Sequence, residues 1–278
     1  MVTRARALGR ACRLLVLASH PAPALAVTAV VSALAWRSGW DSSALALFVL
    51  AMLSGQLSVG WSNDAHDART DLAAARSDKP VVAAALSVRL LWRCAIVALL
   101  VSVLASFAAA GAAGGFHVLS LLAAWAYNLR LSRTIWSWLP YAIAFGLVPP
   151  FITGGLEPSQ SPTVWSVLVF MALGVAAHLA NAAQDAATDA AYGLTSAAIG
   201  LGERRTRLLA LALLLFGTAL LVKQLWDASH GLAIATGIVS AVIGAVGCLR
   251  SSLFFQAILI LALADVALLL LSDVSIVS

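Results

Sequence analysis

The sequence predicts an all-α integral membrane protein of nine transmembrane helices, with two Asp-rich motifs at the cytoplasmic side. Three observations predict it. The chain is 62% hydrophobic and 10% charged, with a mean hydropathy of +0.97, whereas soluble domains carry about 25% charged residues. Nine apolar runs approach the roughly 20 residues that a span requires. They lie at 12–35, 43–61, 86–108, 111–129, 136–155, 163–182, 207–223, 231–249 and 252–272. The basic residues are distributed with one sign of asymmetry. Fifteen of the seventeen Lys and Arg fall on one side of this layout, with Arg37 and Lys223 on the other. The runs leave no room for a soluble domain, so residues 1–278 read as a single membrane domain.

The elements follow in order. Arg4, Arg6, Arg10 and Arg13 stand at the start of the first run. This basic start, with Ser32-Ala33-Leu34-Ala35 further on, has the look of a signal peptide. The run is longer than the roughly 7–15 apolar residues of such a segment, so a retained span is expected. The second run leads directly into an acidic stretch, after which come Arg69, Arg76, Lys79, Arg89 and Arg93. The third and fourth runs end before Arg130 and Arg133, and the sixth leads into a second acidic stretch before Arg204, Arg205 and Arg207. The seventh run is short, and Arg250 follows the eighth. By the positive-inside rule the basic side is cytoplasmic, and both acidic stretches lie on it. The same rule accounts for the net charge of +5, so the charge does not indicate nucleic-acid binding.

The first acidic stretch is Asn63-Asp64-Ala65-His66-Asp67-Ala68-Arg69-Thr70-Asp71. On a helix, Asn63, Asp67 and Asp71 are spaced i, i+4, i+8, and Asp64 is i+7 from Asp71, so all four are expected along roughly one face. Asn181, Asp185 and Asp189 repeat the spacing at a constant offset of 118 residues. A solvated loop is the plain reading of such acids. Against it stand the continuity with the apolar run ending at Trp61, the shared face and the second copy. Acids tolerated at a span end line a polar cavity in most membrane proteins. Asp64, Asp67, Asp71, Asp185 and Asp189 require cations if they share one. Mg²⁺ takes oxygen ligands, uses one or two carboxylates and completes its shell with water and substrate phosphate. Two opposed acidic faces would therefore bind a diphosphate through Mg²⁺.

The basic residues near the motifs, Arg76, Lys79, Arg130 and Arg133, suit a polyanion, Arg as a planar fork and Lys as a point charge. Positive-inside topology explains each of them equally well when taken singly. His66 is expected to face away from the acids, and His20 and His178 to lie on apolar faces. No His pairs with another at zinc spacing. The aromatic residues fit interfacial belts and packing, and some could face a carbocation. Cys12, Cys94 and Cys248 have no metal or disulfide spacing and are expected to be buried apolar fillers.

These residues resemble a family. Asn63-Asp64-x2-Asp67-x3-Asp71, followed by Arg76-x2-Lys79-Pro80, resembles the first signature of the UbiA superfamily of intramembrane prenyltransferases. Asp185-x3-Asp189-x3-Gly193-x2-Ser196 resembles its second, and Tyr127-Asn128-Leu129 through Arg133 resembles the Tyr-containing loop between them. The resemblance covers nearly the whole chain. It implies nine spans around a central cavity, with Mg²⁺ held on an isoprenyl diphosphate by Asn63, Asp67, Asp71, Asn181, Asp185 and Asp189. It implies that Arg76, Lys79, Tyr127, Arg130 and Arg133 hold the diphosphate, and that Asp64 assists metal binding or accepts a proton. Ser132 stands where the family has Lys, and Ala186 and Ala187 where many relatives carry acids.

The implied reaction transfers a prenyl group to a lipophilic acceptor such as a quinone precursor, a porphyrin-type ring or a lipid. Three alternatives share some of the features. A terpene cyclase would ionise the same diphosphate without an acceptor. A phosphoribosyltransferase would act on a polyprenyl phosphate. A cation transporter would also place acids in the membrane, but near its midplane, where Asp265 is the main exception to an uncharged interior. Arg outnumbers Lys 15 to 2 and Ala is abundant, which suggests a GC-rich bacterium and hence a multi-pass protein of a bacterial plasma membrane. The chain carries no readable signature of oligomeric state.

Overall fold

The computed structural model describes residues 2–73, 86–191, 195–250 and 253–278. Twelve α-helices are seen among them. They are α1 (Val2–Ala18), α2 (Pro21–Arg37), α3 (Ser42–Ala73), α4 (Val88–Ala110), α5 (Gly114–Leu129) and α6 (Leu139–Gly146). After these come α7 (Val148–Gly154), α8 (Val164–Ala191), α9 (Ala197–Leu201), α10 (Glu203–Ala228), α11 (His230–Leu249) and α12 (Phe254–Leu271). The all-helical expectation holds. Many large apolar side chains point outward, among them Leu104 at 71%, Val164 at 76% and Leu271 at 83% exposure. Such a surface belongs in lipid, where it carries no hydration cost.

Six stretches are long and apolar enough to cross a membrane, or seven if one bent pair counts as a span, against the nine expected. The difference has three physical sources. The expected span 12–35 is two helices bent by 64°. Pro21 at the start of α2 disfavours the right-handed helical region for the residue before it, and His20 sits at φ 52°. The expected span 136–155 is two short helices separated at Leu147. Pro149 and Pro150 lack the N–H groups needed to continue the ladder. Finally, Val88–Leu129 forms one apolar stretch of 42 residues, about 60 Å if straight and twice a bilayer core. It is not straight. Gly111 has φ 52°, and Ser106 Oγ lies 2.8 Å from His117 Nδ1 eleven residues later. The chain doubles back there, so α4 and α5 run against each other.

Small residues and hydroxyls bring α3 and α4 together. Ser58 Oγ donates to the Ala95 carbonyl at 2.9 Å, and Ser102 Oγ donates back to the Ala51 carbonyl at 2.7 Å. Such bonds between membrane helices are worth about 0.6 kcal/mol each and up to about 2 kcal/mol. At its other end α3 is capped by Asp41, which accepts from the Ser43 amide and hydroxyl at 2.7 and 2.8 Å. The Ser43 hydroxyl and amide hold that carboxyl below its usual range. The cap is therefore fully formed above the ordinary carboxylate pKa and is lost only as the pH falls through the lowered value.

With 32 residues, α3 is about 48 Å long and outreaches the hydrocarbon core. Its last turns, which carry the first acidic motif, thus continue a span without a break. Cys12 is exposed and Cys94 half-buried, and both are free. The expectation of buried fillers fails for them because a thiol is apolar enough to face lipid. The side chain of Cys248 lies outside the described residues.

The α1–α2 break is seated on α3. A Cβ placed on Gly60 would lie 2.6 Å from the Ser19 carbonyl oxygen and 2.8 Å from its carbonyl carbon. Backbone cannot yield as a flexible side chain would. Gly60→Val is expected to destabilise the protein by about 1–3 kcal/mol through overpacking. The check is a lower melting temperature in detergent than Gly115→Ala, where an added Cβ meets nothing within 4 Å.

Candidate functional site

The last three turns of α3 present polar groups in two directions. Asn63 Nδ2 lies 3.4 Å from Asp67 Oδ2 and 3.4 Å from Asn128 Oδ1. Asn128, the penultimate residue of α5, is buried and donates from Nδ2 to the Val59 carbonyl and to Ser62 Oγ, each at 2.9 Å. Arg133, in a 3₁₀ turn after α5, donates from Nη2 to Asp67 Oδ1 and to Thr70 Oγ1, both at 3.0 Å. Asn63, Asp67, Asn128 and Arg133 thus form one connected group. The cation is half-exposed and its carboxylate partner 30% exposed, so the pair is open to a ligand.

Asp64 departs from the expected common face. It is 2% exposed, and its Oδ1 lies 3.1 Å from His20 Nε2. One residue along a helix turns the side chain by about 100°, which aims Asp64 at the α1–α2 break instead of at Arg133. The His20 imidazole, expected on an apolar face, is the group that makes this buried carboxylate tolerable. A lone His far upstream gave no signal of this pairing. The one hint was Pro21, which marks a break before α2.

On α8, His178 precedes Asn181 by three residues. His178 is buried and stacks on Tyr141 at 4.4 Å between centroids, and Tyr127 stands edge-on to both rings. His178 Nε2 lies 3.1 Å from Ser137 Oγ, which also accepts from the Ala197 amide at 3.3 Å. Ser137 Oγ thus links the His178 ring to the start of α9. Thr195 Oγ1 donates to the Arg133 carbonyl at 2.7 Å. The segment from Arg130 to Trp138 therefore touches the first motif through Arg133. Through Ser137 and the Arg133 carbonyl it touches the helix and loop of the second.

Asn181 is exposed on α8, and Arg130 is exposed, its side chain making no hydrogen bond among the described residues. The side chain of half-buried His66 makes no hydrogen bond among them either. The side chains of Asp71, Asp185 and Asp189 lie outside the described residues, as do Arg76 and Lys79 altogether. Among the described residues no three His, Cys, Asp or Glu side chains come together. The oxygen donors of the expected set that are described, the Asn63 and Asn181 amides and the Asp67 carboxylate, are of the type a hard cation accepts. Sequence reasoning missed Ser137, Tyr141, Thr195 and the role of His178. Ser137 and Tyr141 lie in or beside the loop between the two motifs, and His178 and Thr195 flank the second motif on either side.

Asn128→Ala is expected to lower stability by about 1–3 kcal/mol, because it strips a buried polar group of its partners. Arg130→Ala at the exposed neighbouring position is expected within about 0.5 kcal/mol of the parent. Thermal denaturation of the two variants in the same detergent checks the pair.

The chain matches the model of the UbiA prenyltransferase family over residues 24–270. No individually curated protein matches it. Solved structures of similar fold include a UbiA homologue from Archaeoglobus fulgidus bound to GPP and Mg²⁺. It has 14% sequence identity and a TM-score of 0.69, over 91% of this chain and 97% of that one. A structure of digeranylgeranylglyceryl phosphate synthase is similar at 14% identity and a TM-score of 0.69, over 93% and 98% of the two chains. An apo UbiA homologue from Aeropyrum pernix K1 is similar at 16% identity and a TM-score of 0.66, over 92% and 95%. The family match spans most of the sequence and the fold agrees with it, so the chain belongs to the UbiA prenyltransferase family.

Proposed function

We propose that this protein is a Mg²⁺-dependent intramembrane prenyltransferase that moves a prenyl group from an isoprenyl diphosphate to a lipophilic acceptor and releases diphosphate. The observation that carries this reading is the Arg133 segment, which joins Asp67 of the first acidic motif to the loop beyond the second. Family membership supports it, as does the A. fulgidus homologue with GPP and Mg²⁺. In this reading nine spans surround a central cavity. Asn63, Asp67, Asp71, Asn181, Asp185 and Asp189 would hold Mg²⁺. When bound, Mg²⁺ neutralises charge on the diphosphate and makes it a better leaving group.

The residues of the chain divide the remaining work. Arg133 offers its guanidinium beside Asp67, and Arg76, Lys79, Tyr127 and Arg130 complete a cationic and hydroxylic grip on the phosphate oxygens. The allylic C–O bond breaks with its electron pair leaving on the diphosphate. The acceptor forms a new bond to the prenyl carbon and gives up a proton to the departing diphosphate, while Asp64, buried against His20, supports the end of α3 from behind. The rings of Tyr127 and Tyr141 pack together beside the loop between the motifs, and the face of such a ring favours a developing cation. The surrounding apolar helices keep water from capturing it. The Lys and Arg asymmetry supports a multi-pass protein of a bacterial plasma membrane with both motifs toward the cytoplasm.

Purified protein incubated with isoprenyl diphosphates of graded chain length and candidate acceptors is expected to release diphosphate only with Mg²⁺. Asp67→Asn and Asp185→Asn are each expected to reduce release at least about 100-fold, the scale of losing a preorganised charge at a reacting centre. Release that survives a chelator or these substitutions contradicts the reading. A hydrocarbon or terpene alcohol formed with no acceptor present would assign the chain to cyclisation instead.

A further inference from the structure

A second site lies on the outside of the bundle. Helices α6, α8, α9 and α10 enclose a groove of about 650 Å³, lined almost wholly by apolar side chains. That volume is within the roughly 300–1,000 Å³ of small-molecule sites. Trp138, Val175 and Gly200 line it together with Leu209, Leu213 and Phe216. Leu209 is 41% and Phe216 47% exposed, so the groove opens on the apolar outer surface, and Asp67 is not among the residues that line it.

One end of the groove is basic. Arg205, Leu209, Leu213 and Phe216 are spaced 4, 4 and 3 apart on α10 and therefore share a helix face. Three of the four line the groove. Arg205 heads the same stripe, one turn beyond Leu209, where the span reaches the headgroup layer. Arg204 and Arg205 are both exposed. The acid beside them, Glu203, is engaged by Arg207 at 2.5 Å. Neither Arg204 nor Arg205 has an ion pair among the described residues. The site thus offers a long apolar trough with free cationic charge at one end. Its complement is an amphiphile with one anionic headgroup and an alkyl chain.

We propose that this groove binds one anionic glycerophospholipid, its phosphate at Arg205 and Arg204 and an acyl chain along α8 and α10. Basic pockets between membrane helices bind anionic headgroups in this manner. The lipid would pack against α9, which follows Thr195 and contains Ala197, the residues bonded to the loop carrying Arg133. Occupancy would therefore brace the segment behind the candidate active site without entering it. The inference does not rest on the reaction assigned to that site.

Native mass spectrometry of the full-length protein in detergent tests it, with phosphatidylglycerol and phosphatidylcholine of identical acyl chains as probes. Phosphatidylglycerol is expected to bind about tenfold tighter, the scale of one or two surface cations at about 1 kcal/mol each. It is also expected to raise the melting temperature more. Arg205→Glu should abolish the preference, and Arg89→Glu, outside the groove, should leave it intact. Gly200→Phe should weaken both lipids by filling the trough. An added Cβ there meets nothing within 4 Å, so the variant remains informative if Arg205→Glu folds poorly. Equal binding of the two lipids overturns the proposal. So does a preference that survives Arg205→Glu, equal loss in Arg89→Glu, or undiminished binding in Gly200→Phe.

Discussion

A carboxylate at the end of an apolar helix needs a cation or a donor that the same helix cannot supply, and the architecture of this protein follows from how that need is met. Asp67 is matched by Arg133, 66 residues away, and Asp64 by His20, 44 residues away. The two acids are three residues apart on α3, yet their partners come from opposite directions along the chain. The polar end of α3 is therefore the place where the N-terminal helices and the α5–α6 connection converge. In hydrocarbon, where unmatched charge costs about 2.5–3.5 kcal/mol even on mild scales, such pairings select one arrangement of helices over others.

The same economy governs the rest of the bundle. The α3–α4 contact rests on serines that exchange bonds with opposing carbonyls, and Asn128 satisfies itself on Val59 and Ser62. These are polar contacts inside an apolar body. They fix register where leucine packing against leucine-like lipid would not. The Tyr127–Tyr141–His178 group adds a rigid aromatic patch next to that register, held through Ser137 to the start of α9.

Much of this was legible from residues alone. Long apolar runs announce helices because lipid tolerates no other open backbone. The echo of Asn63, Asp67 and Asp71 in Asn181, Asp185 and Asp189 leads to the expectation of a paired site because spacing on a helix is direction in space, and of its six side chains those of Asn63, Asp67 and Asn181 are described. Arg133 was legible as a basic residue near the site, and Asp67 as an acid within it, but not their bond. What escaped has a common cause. The breaks at His20 and Leu147 depend on prolines acting on their neighbours within runs whose hydropathy never falters. The pairing of Asp64 with His20 and the stacking of His178 on Tyr141 join residues whose separation in sequence carries no period. A side chain on an apolar face looks idle until the facing helix is known.

The unbroken course of α3 has a mechanical meaning. Asp67 stands 25 residues beyond Ser42 on one helix, a rigid lever of about 37 Å. A span tilts when its bilayer thins, and a change from upright to about 20° lowers the far end by about 2 Å and swings it sideways by about 13 Å unless its neighbours tilt with it. Because Asp67 is tied to Arg133 and Asp64 to His20, such a tilt has to be shared by α1, α2 and α5. The thickness of the membrane is thereby converted into a coordinate of the site, and the protein meets it as a body rather than helix by helix.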